Sequence, residues 1–123
     1  MTMKSINAES FYKEVVSTGH IWTVKTDDGI PTFDDKDGNT TIFLWSSRER
    51  VMRIVEKEPL FKGFRPLEIP WTLFAIKWLP DFADNEFVFS LNWIGNESDV
   101  WEESAEELAI NMESHIKLHN RID

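Results

Sequence analysis

Apolar and polar positions alternate along this chain with two different periods, and the switches between them mark its elements. Over Asn7–Ser17 the apolar residues Ala8, Phe11, Tyr12, Val15 and Val16 recur at helical spacing, which predicts a first helix. Asn7 is its expected cap, with Ile6 stapled onto Phe11 and Gly19 as the stop. His20–Thr26 reads as a strand and Asp27-Asp28-Gly29 as a tight turn. A short extended piece, Ile30–Phe33, precedes a polar turn over Asp34–Asn39. Thr40–Trp45 is apolar on both faces, which predicts a central strand covered on both sides. The first strands are expected to be antiparallel, because their turns are too short for a crossover.

Ser46–Lys57 predicts the second helix, with Ser46 and Glu49 as a capping box and Val51, Ile54 and Val55 as the buried stripe, widened by Met52. Glu58-Pro59 ends it. Phe61–Glu68 is irregular, with an edge strand around Phe64–Ile69. A third helix opens at Pro70 or Thr72 and closes at Pro80. Leu73, Ile76 and Leu79 are expected to line one side, and Phe74 and Trp78 a flanking strip. Glu86–Ile94 reads as a strand with Phe87, Phe89, Leu91 and Trp93 on one face and Val88, Ser90, Asn92 and Ile94 on the other. Glu103–His119 is the last helix, with a capping box of Ser104 and Glu107 and a face of Ala105, Leu108, Ala109, Met112, Ile116 and His119. The expected fold is α+β: a single mixed, mainly antiparallel sheet of four or five strands packed by about four helices, spanning 1–123 as one domain.

Composition adds charge. The formal net charge is −9 and unevenly spread. Arg48–Lys77 holds seven basic and four acidic residues, whereas Trp78–Ile116 holds ten acidic residues and no Lys or Arg. This sign repels nucleic acid and anionic membranes and favours a basic protein partner. No run reaches the apolar length that spans a bilayer, and the first ten residues lack the apolar core of a signal peptide. The absence of Cys excludes disulfides and thiolate chemistry and points to a cytoplasmic setting. Nothing ranks a dimer against a monomer.

Candidate chemistry is sparse. The run Phe33–Asn39 resembles a calcium loop, but the register would put Phe33 and Leu44 where carboxylates are required, so a hairpin turn is expected. His115 and His119 are one helical turn apart without a third ligand nearby. Acid pairs such as Asp34/Asp35, Glu102/Glu103 and Glu106/Glu107 fall in turns or on solvated helix faces, and Glu68 and Asp81 stand only slightly apart. No nucleophile elbow or Gly-rich phosphate loop occurs. No catalytic residue, cofactor or metal is therefore assigned.

Two places invite a ligand or partner. At Trp45-Ser46-Ser47-Arg48 a strand runs into a helix, whose free amides, with Arg48 and the Trp45 ring, would suit an anion, although a capped helix with a core Trp is the favoured reading. At Ser90-Leu91-Asn92-Trp93, Asn92 must find hydrogen bonds if buried. Trp71, Trp78, Trp93 and Trp101 are candidate surface anchors. The candidate ligand or partner contacts are Trp45, Arg48, Trp78, Asn92 and Trp93.

Several segments carry a family resemblance: Phe11 with Gly19-His20-Ile21-Trp22, then Thr41–Arg48, then Phe74 with Lys77-Trp78-Leu79-Pro80, and Leu91-Asn92-Trp93-Ile94-Gly95. In order and spacing they resemble a group of small bacterial proteins known as domain-of-unknown-function family 2750, over roughly Ala8–Leu108. A fainter, fold-level likeness is to SseB-like domains. Neither resemblance supplies a catalytic residue. The leading expectation is a non-enzymatic acidic binding or adaptor domain, of which an inhibitor or immunity-type protein for a basic effector is the sharper form. The alternative is a small hydrolase or metabolite-binding enzyme built on Trp45, Arg48 and Asn92.

Overall fold

The computed structural model describes residues 3–35, 37–95 and 101–122. The fold is α+β. In chain order the elements are α1 (Met3–Thr18), β1 (His20–Lys25), β2 (Phe33–Asp34), β3 (Thr40–Leu44), α2 (Arg48–Lys57), a 3₁₀ turn (Pro59–Phe61) and β4 (Arg65–Pro70). A helical segment follows, made of α3 (Trp71–Leu73), a π turn (Phe74–Trp78) and α4 (Leu79–Asp84). β5 (Val88–Leu91), β6 (Trp101–Ser104) and α5 (Ala105–Ile122) complete the fold.

Four strands make the mixed, mainly antiparallel sheet, in the order β2-β3-β5-β6. β3 and β5 are parallel, with Thr41 opposite Val88 and Leu44 opposite Leu91, and the outer pairs are antiparallel. β1 does not pair with β2. It pairs antiparallel with β4, from His20↔Pro70 to Lys25↔Arg65, as a two-stranded ribbon. The ribbon is tied to the sheet by reciprocal 2.8 Å backbone hydrogen bonds between Trp22 and Trp45.

β3 is central, and both of its faces are apolar because each meets a different core. Ile42 and Leu44 join Phe89 and Leu91 beneath α1, α5 and the α3–α4 segment. Phe43 and Trp45 face the other way, into a cluster with Val51 and Ile54 of α2, Phe61, Phe33 and Trp93. Phe61 is fully buried and meets the rings of Phe33, Phe43, Trp45, Phe64 and Trp93 at centroid distances of 5.3 to 6.2 Å.

Several boundaries differ from the expected ones for identifiable reasons. α1 begins a turn before Asn7, so Asn7 lies inside the helix rather than capping it. Gly19 ends α1 as expected, with φ +81° and its N–H on the Val15 carbonyl. α2 is capped by Ser47, whose hydroxyl accepts from Arg50 N, and not by Ser46, which is engaged elsewhere. Pro80 does not close the third helix. Lacking an N–H, it would leave the Ile76 carbonyl without its α-helical partner, and the chain widens so that Leu79 N–H reaches Phe74. The helix then continues to Asp84. The wider turn rotates the buried face, so Phe74, Trp78 and Phe82 pack inward while Leu73 and Ile76 are exposed. α4 ends with Glu86 in the left-handed region (φ +58°) and Phe87 N–H on the Phe82 carbonyl. β5 therefore starts at Val88 and not at Glu86. It stops at Leu91, because Asn92 is also left-handed (φ +52°). That bend breaks the expected alternation and sends Trp93 into the cluster around Phe61. Glu103 belongs to β6, and α5 starts at Ala105 with the expected reciprocal bonds between Ser104 and Glu107.

Candidate functional site

The two parallel strands end side by side, and the polar residues that follow them interlock. Asn92 N–H donates to the Leu44 carbonyl at 2.9 Å. Its side chain, almost fully buried, accepts from Ser46 N–H at 2.9 Å and donates to the Ser46 hydroxyl at 2.9 Å and the Asn7 carbonyl at 3.2 Å. Ser46 Oγ donates in turn to Glu14 Oε1 at 2.7 Å. Arg50 grips both oxygens of Glu14, through Nε at 3.1 Å and Nη2 at 2.8 Å. The Arg50 guanidinium and, less, the Ser46 hydroxyl hold the Glu14 carboxyl below its ordinary range, against the opposing pull of burial. This chain of bonds joins α1, the start of α2 and the end of β5.

Beside it opens a cleft of about 420 Å³, lined by Arg50, Arg53, Ile54, Glu56 and Lys57 of α2 and by Asn92, Trp93 and Ile94. Ligands in α/β sheets favour such positions, beyond the carboxyl ends of parallel strands. Lys57 Nζ donates to the Ile94 carbonyl at 3.1 Å and closes one side.

Of the five candidate contacts, Asn92 and Trp93 meet at this cleft. Trp45 is adjacent, with its indole N–H on the Trp93 carbonyl at 2.9 Å, but its ring is fully buried and offers no flat surface to a ligand. Arg48 is exposed in the first turn of α2 and does not line the cleft. Trp78 lies elsewhere, half-buried against Phe74 and Phe82. The basic residues that do line the cleft, Arg50, Arg53 and Lys57, follow Arg48 on the same helix, and their own i, i+3, i+7 spacing was the signal for them.

A second constellation was hidden in the sequence. Glu103, taken as a solvated acid, is buried between β6, α1 and α5. Three side chains donate to it: the Tyr12 hydroxyl, Trp101 Nε1 at 2.7 Å and Asn111 Nδ2 at 3.0 Å. Burial, reinforced by the Glu103 carboxylate, raises the Tyr12 hydroxyl far above its ordinary range, so it keeps its proton and donates. The Tyr12 ring stacks on His115 at 4.7 Å. Ser5, Ala8, Glu9, Lys13 and His115 complete the lining of an open cavity of about 530 Å³. His115 Nδ1 lies 2.8 Å from the Asn111 carbonyl and Nε2 lies 3.6 Å from Glu9. Among the described residues no group of three or more His, Asp or Glu is placed to hold a metal ion. The run considered as a calcium loop is the β2–β3 turn, in which Asp35 Oδ1 accepts from the backbone of Asp37 and Asn39.

No helix among the described residues is long and apolar enough to cross a membrane. No curated protein matches the chain. The family model described as "Protein of unknown function (DUF2750)" matches residues 8–112. That match lends no support to the SseB-like likeness. It covers every segment that carries the resemblance seen in the sequence, together with the side chains of the Asn92 network and the Tyr12, Trp101 and Asn111 donors to Glu103, and the chain belongs to the DUF2750 family.

Proposed function

We propose that this chain is a binding domain whose acidic half covers a basic protein partner. The observation that carries this reading is the display of charge on the fold. Asp81, Asp84, Glu86, Glu102, Glu106, Glu107 and Glu113 are all exposed, on α4, its end turn, β6 and α5. Glu97 and Asp99 lie outside the described residues. Glu86 and Glu106 share one groove of about 320 Å³ at the junction of α4, β5 and α5. Burial, and less so Asp35 and Asp37 of the β2–β3 turn, raise the Glu102 carboxyl above its ordinary value, against the hydrogen bond from Thr41, so acidic charge continues from this face onto that turn. A cationic partner is steered in by that charge. The sharper form is an inhibitor or immunity-type protein that masks a basic effector. A Cys-free chain suits such a role in a reducing cytoplasm.

The test is capture of partners at low and physiological salt, followed by stopped-flow association with the purified partner. Association slows as salt rises, and Asp81→Lys with Asp84→Lys and Glu106→Lys slows it further at fixed salt. A salt-independent rate refutes the reading. The cleft beside Asn92 favours a second reading, a small-metabolite site for an anion held by Arg53, with Trp93 in the lining. There, Arg53→Ala abolishes anion binding with unchanged melting, whereas Arg48→Ala does neither.

A further inference from the structure

Glu103 is a buried carboxyl whose described hydrogen-bond donors carry no charge. It is 5% exposed, and its three donors, Tyr12, Trp101 and Asn111, are all neutral. Among the described residues no Lys or Arg forms an ion pair with it. Among the described residues, Oε1 receives Tyr12 and Asn111, and Oε2 receives Trp101. A carboxylate has about four acceptor positions, so Oε2 retains an unused one. Burying a carboxylate without a counter-charge is costly, and neutral hydrogen bonds offset only part of that cost.

The cavity above it is shaped for what is missing. Its lining includes Trp101 and the stacked Tyr12–His115 pair, 13° from parallel. At the mouth, Glu9 adds a second carboxylate, which pairs at 3.7 Å with the largely exposed Lys13 of the same lining. His115 Nδ1 faces the Asn111 carbonyl, and Nε2 lies toward the mouth, 3.6 Å from Glu9.

We propose that this cleft binds a guanidinium group, stacked against the aromatic lining with one N–H on Glu103 Oε2. A guanidinium is planar, weakly hydrated and permanently charged, which suits a dry carboxylate between rings better than a compact, strongly hydrated ammonium does. The chemistry is shared by a small guanidino compound and by an arginine side chain. The site goes beyond the acidic face and stands without it, because Glu103 and Tyr12 line a different opening from Glu86 and Glu106.

The indole N–H of Trp101 touches Glu103 and is a direct reporter. Its resonance, identified by Trp101→Phe in the full chain, is followed by ¹H–¹⁵N NMR during titration with N-acetyl-argininamide. The neutral isostere N-acetyl-citrullinamide and N-acetyl-lysinamide serve as controls at equal ionic strength. The expected result is a saturable shift with the arginine compound alone, at a dissociation constant of about 1 mM. Glu103→Gln weakens it by about tenfold. Should that variant fail to fold, Glu9→Gln on the exposed rim weakens it about two- to fivefold with an unchanged melting temperature. A peptide with a central arginine that binds at least as tightly assigns the site to a protein side chain. Free arginine binding while that peptide does not assigns it to a small molecule. No saturable shift, an equal shift with the citrulline compound, or tighter binding of the lysine compound overturns the proposal, and none of these outcomes bears on the salt dependence that tests the acidic face.

Discussion

Asn92 is asked to do two things at once, and replacing it separates them. Its side chain satisfies the buried Ser46 N–H and binds Ser46 Oγ and the Asn7 carbonyl, while its backbone sits at φ +52°, where Asn is tolerated far better than Ala. Asn92→Ala leaves the Ser46 N–H unpaired in the interior, at about 1–3 kcal/mol, and adds about 1 kcal/mol for a left-handed alanine. The expected loss is about 3 kcal/mol, or roughly 10 °C in melting temperature for a chain of this size. Asn92→Gly loses the same hydrogen bonds but none of the backbone tolerance, so it is milder by about 1 kcal/mol. Asn92→Asp keeps an acceptor for Ser46 but turns an oxygen toward the Asn7 carbonyl and brings a second carboxylate near Glu14. It falls with Ala rather than Gly. Urea titration followed by far-UV circular dichroism gives all three from midpoints with a common slope. An alanine variant within about 1 kcal/mol of the parent, or a glycine variant no milder than alanine, refutes the idea that this network closes the ends of β3 and β5.

Three further expectations use the same assay. Ser90 is fully buried and its hydroxyl has no hydrogen-bond partner among the described residues, so Ser90→Ala is neutral or stabilising by up to about 1 kcal/mol, and a clear loss would reveal a hidden partner. Gly95→Ala costs about 1–2 kcal/mol because φ is +93° and the new Cβ would lie 2.6 Å from Glu58 Oε1, which has to swing away. Gly29→Ala meets no neighbouring atom and isolates the backbone part of that cost. Glu102 has a raised carboxyl, so the native state holds its proton more tightly than the unfolded chain does, and its charge costs stability once pH has risen through its folded value. Glu102→Gln therefore stabilises at neutral pH, by well under 1 kcal/mol for so exposed a group, and the gain disappears below the ordinary glutamate range; a gain that persists in acid refutes the electrostatic cause.

What could be read in the sequence was local. The Ser104–Glu107 capping box, the Gly19 stop and the two-faced character of Thr40–Trp45 depend on neighbours within a few residues, and each appears in the fold. What escaped depended on distant partners. The pattern favours Ser46, whose Glu49 completes a capping box, over Ser47, and Asn92 and Glu14 engage Ser46 so that Ser47 caps α2. Glu102 and Glu103 are indistinguishable as letters. Their fates diverge because β6 turns alternate residues to opposite faces, placing Trp101 and Glu103 together against Tyr12. The partner choice of β1 was similarly invisible, since β4 lies some forty residues away and short turns to β2 made a local hairpin seem sufficient. Pro80 misled for a different reason: a proline ends a regular α-helix, but one wide turn before it absorbs the missing donor.

The reciprocal bonds between Trp22 and Trp45 bear on how the molecule comes apart. A two-stranded ribbon alone is marginal in water, so β1 and β4 are expected to open as a local unit well before the sheet does. Here the ribbon is anchored at a residue that also carries the Trp93 carbonyl on its indole and precedes the Ser46 network. Opening the ribbon at Trp22 strips the Trp45 amide and exposes the aromatic cluster behind it. In native-state hydrogen exchange the Trp22 and Trp45 amides should therefore share the slow exchange of global unfolding, while Lys25 at the far end of the ribbon frays independently.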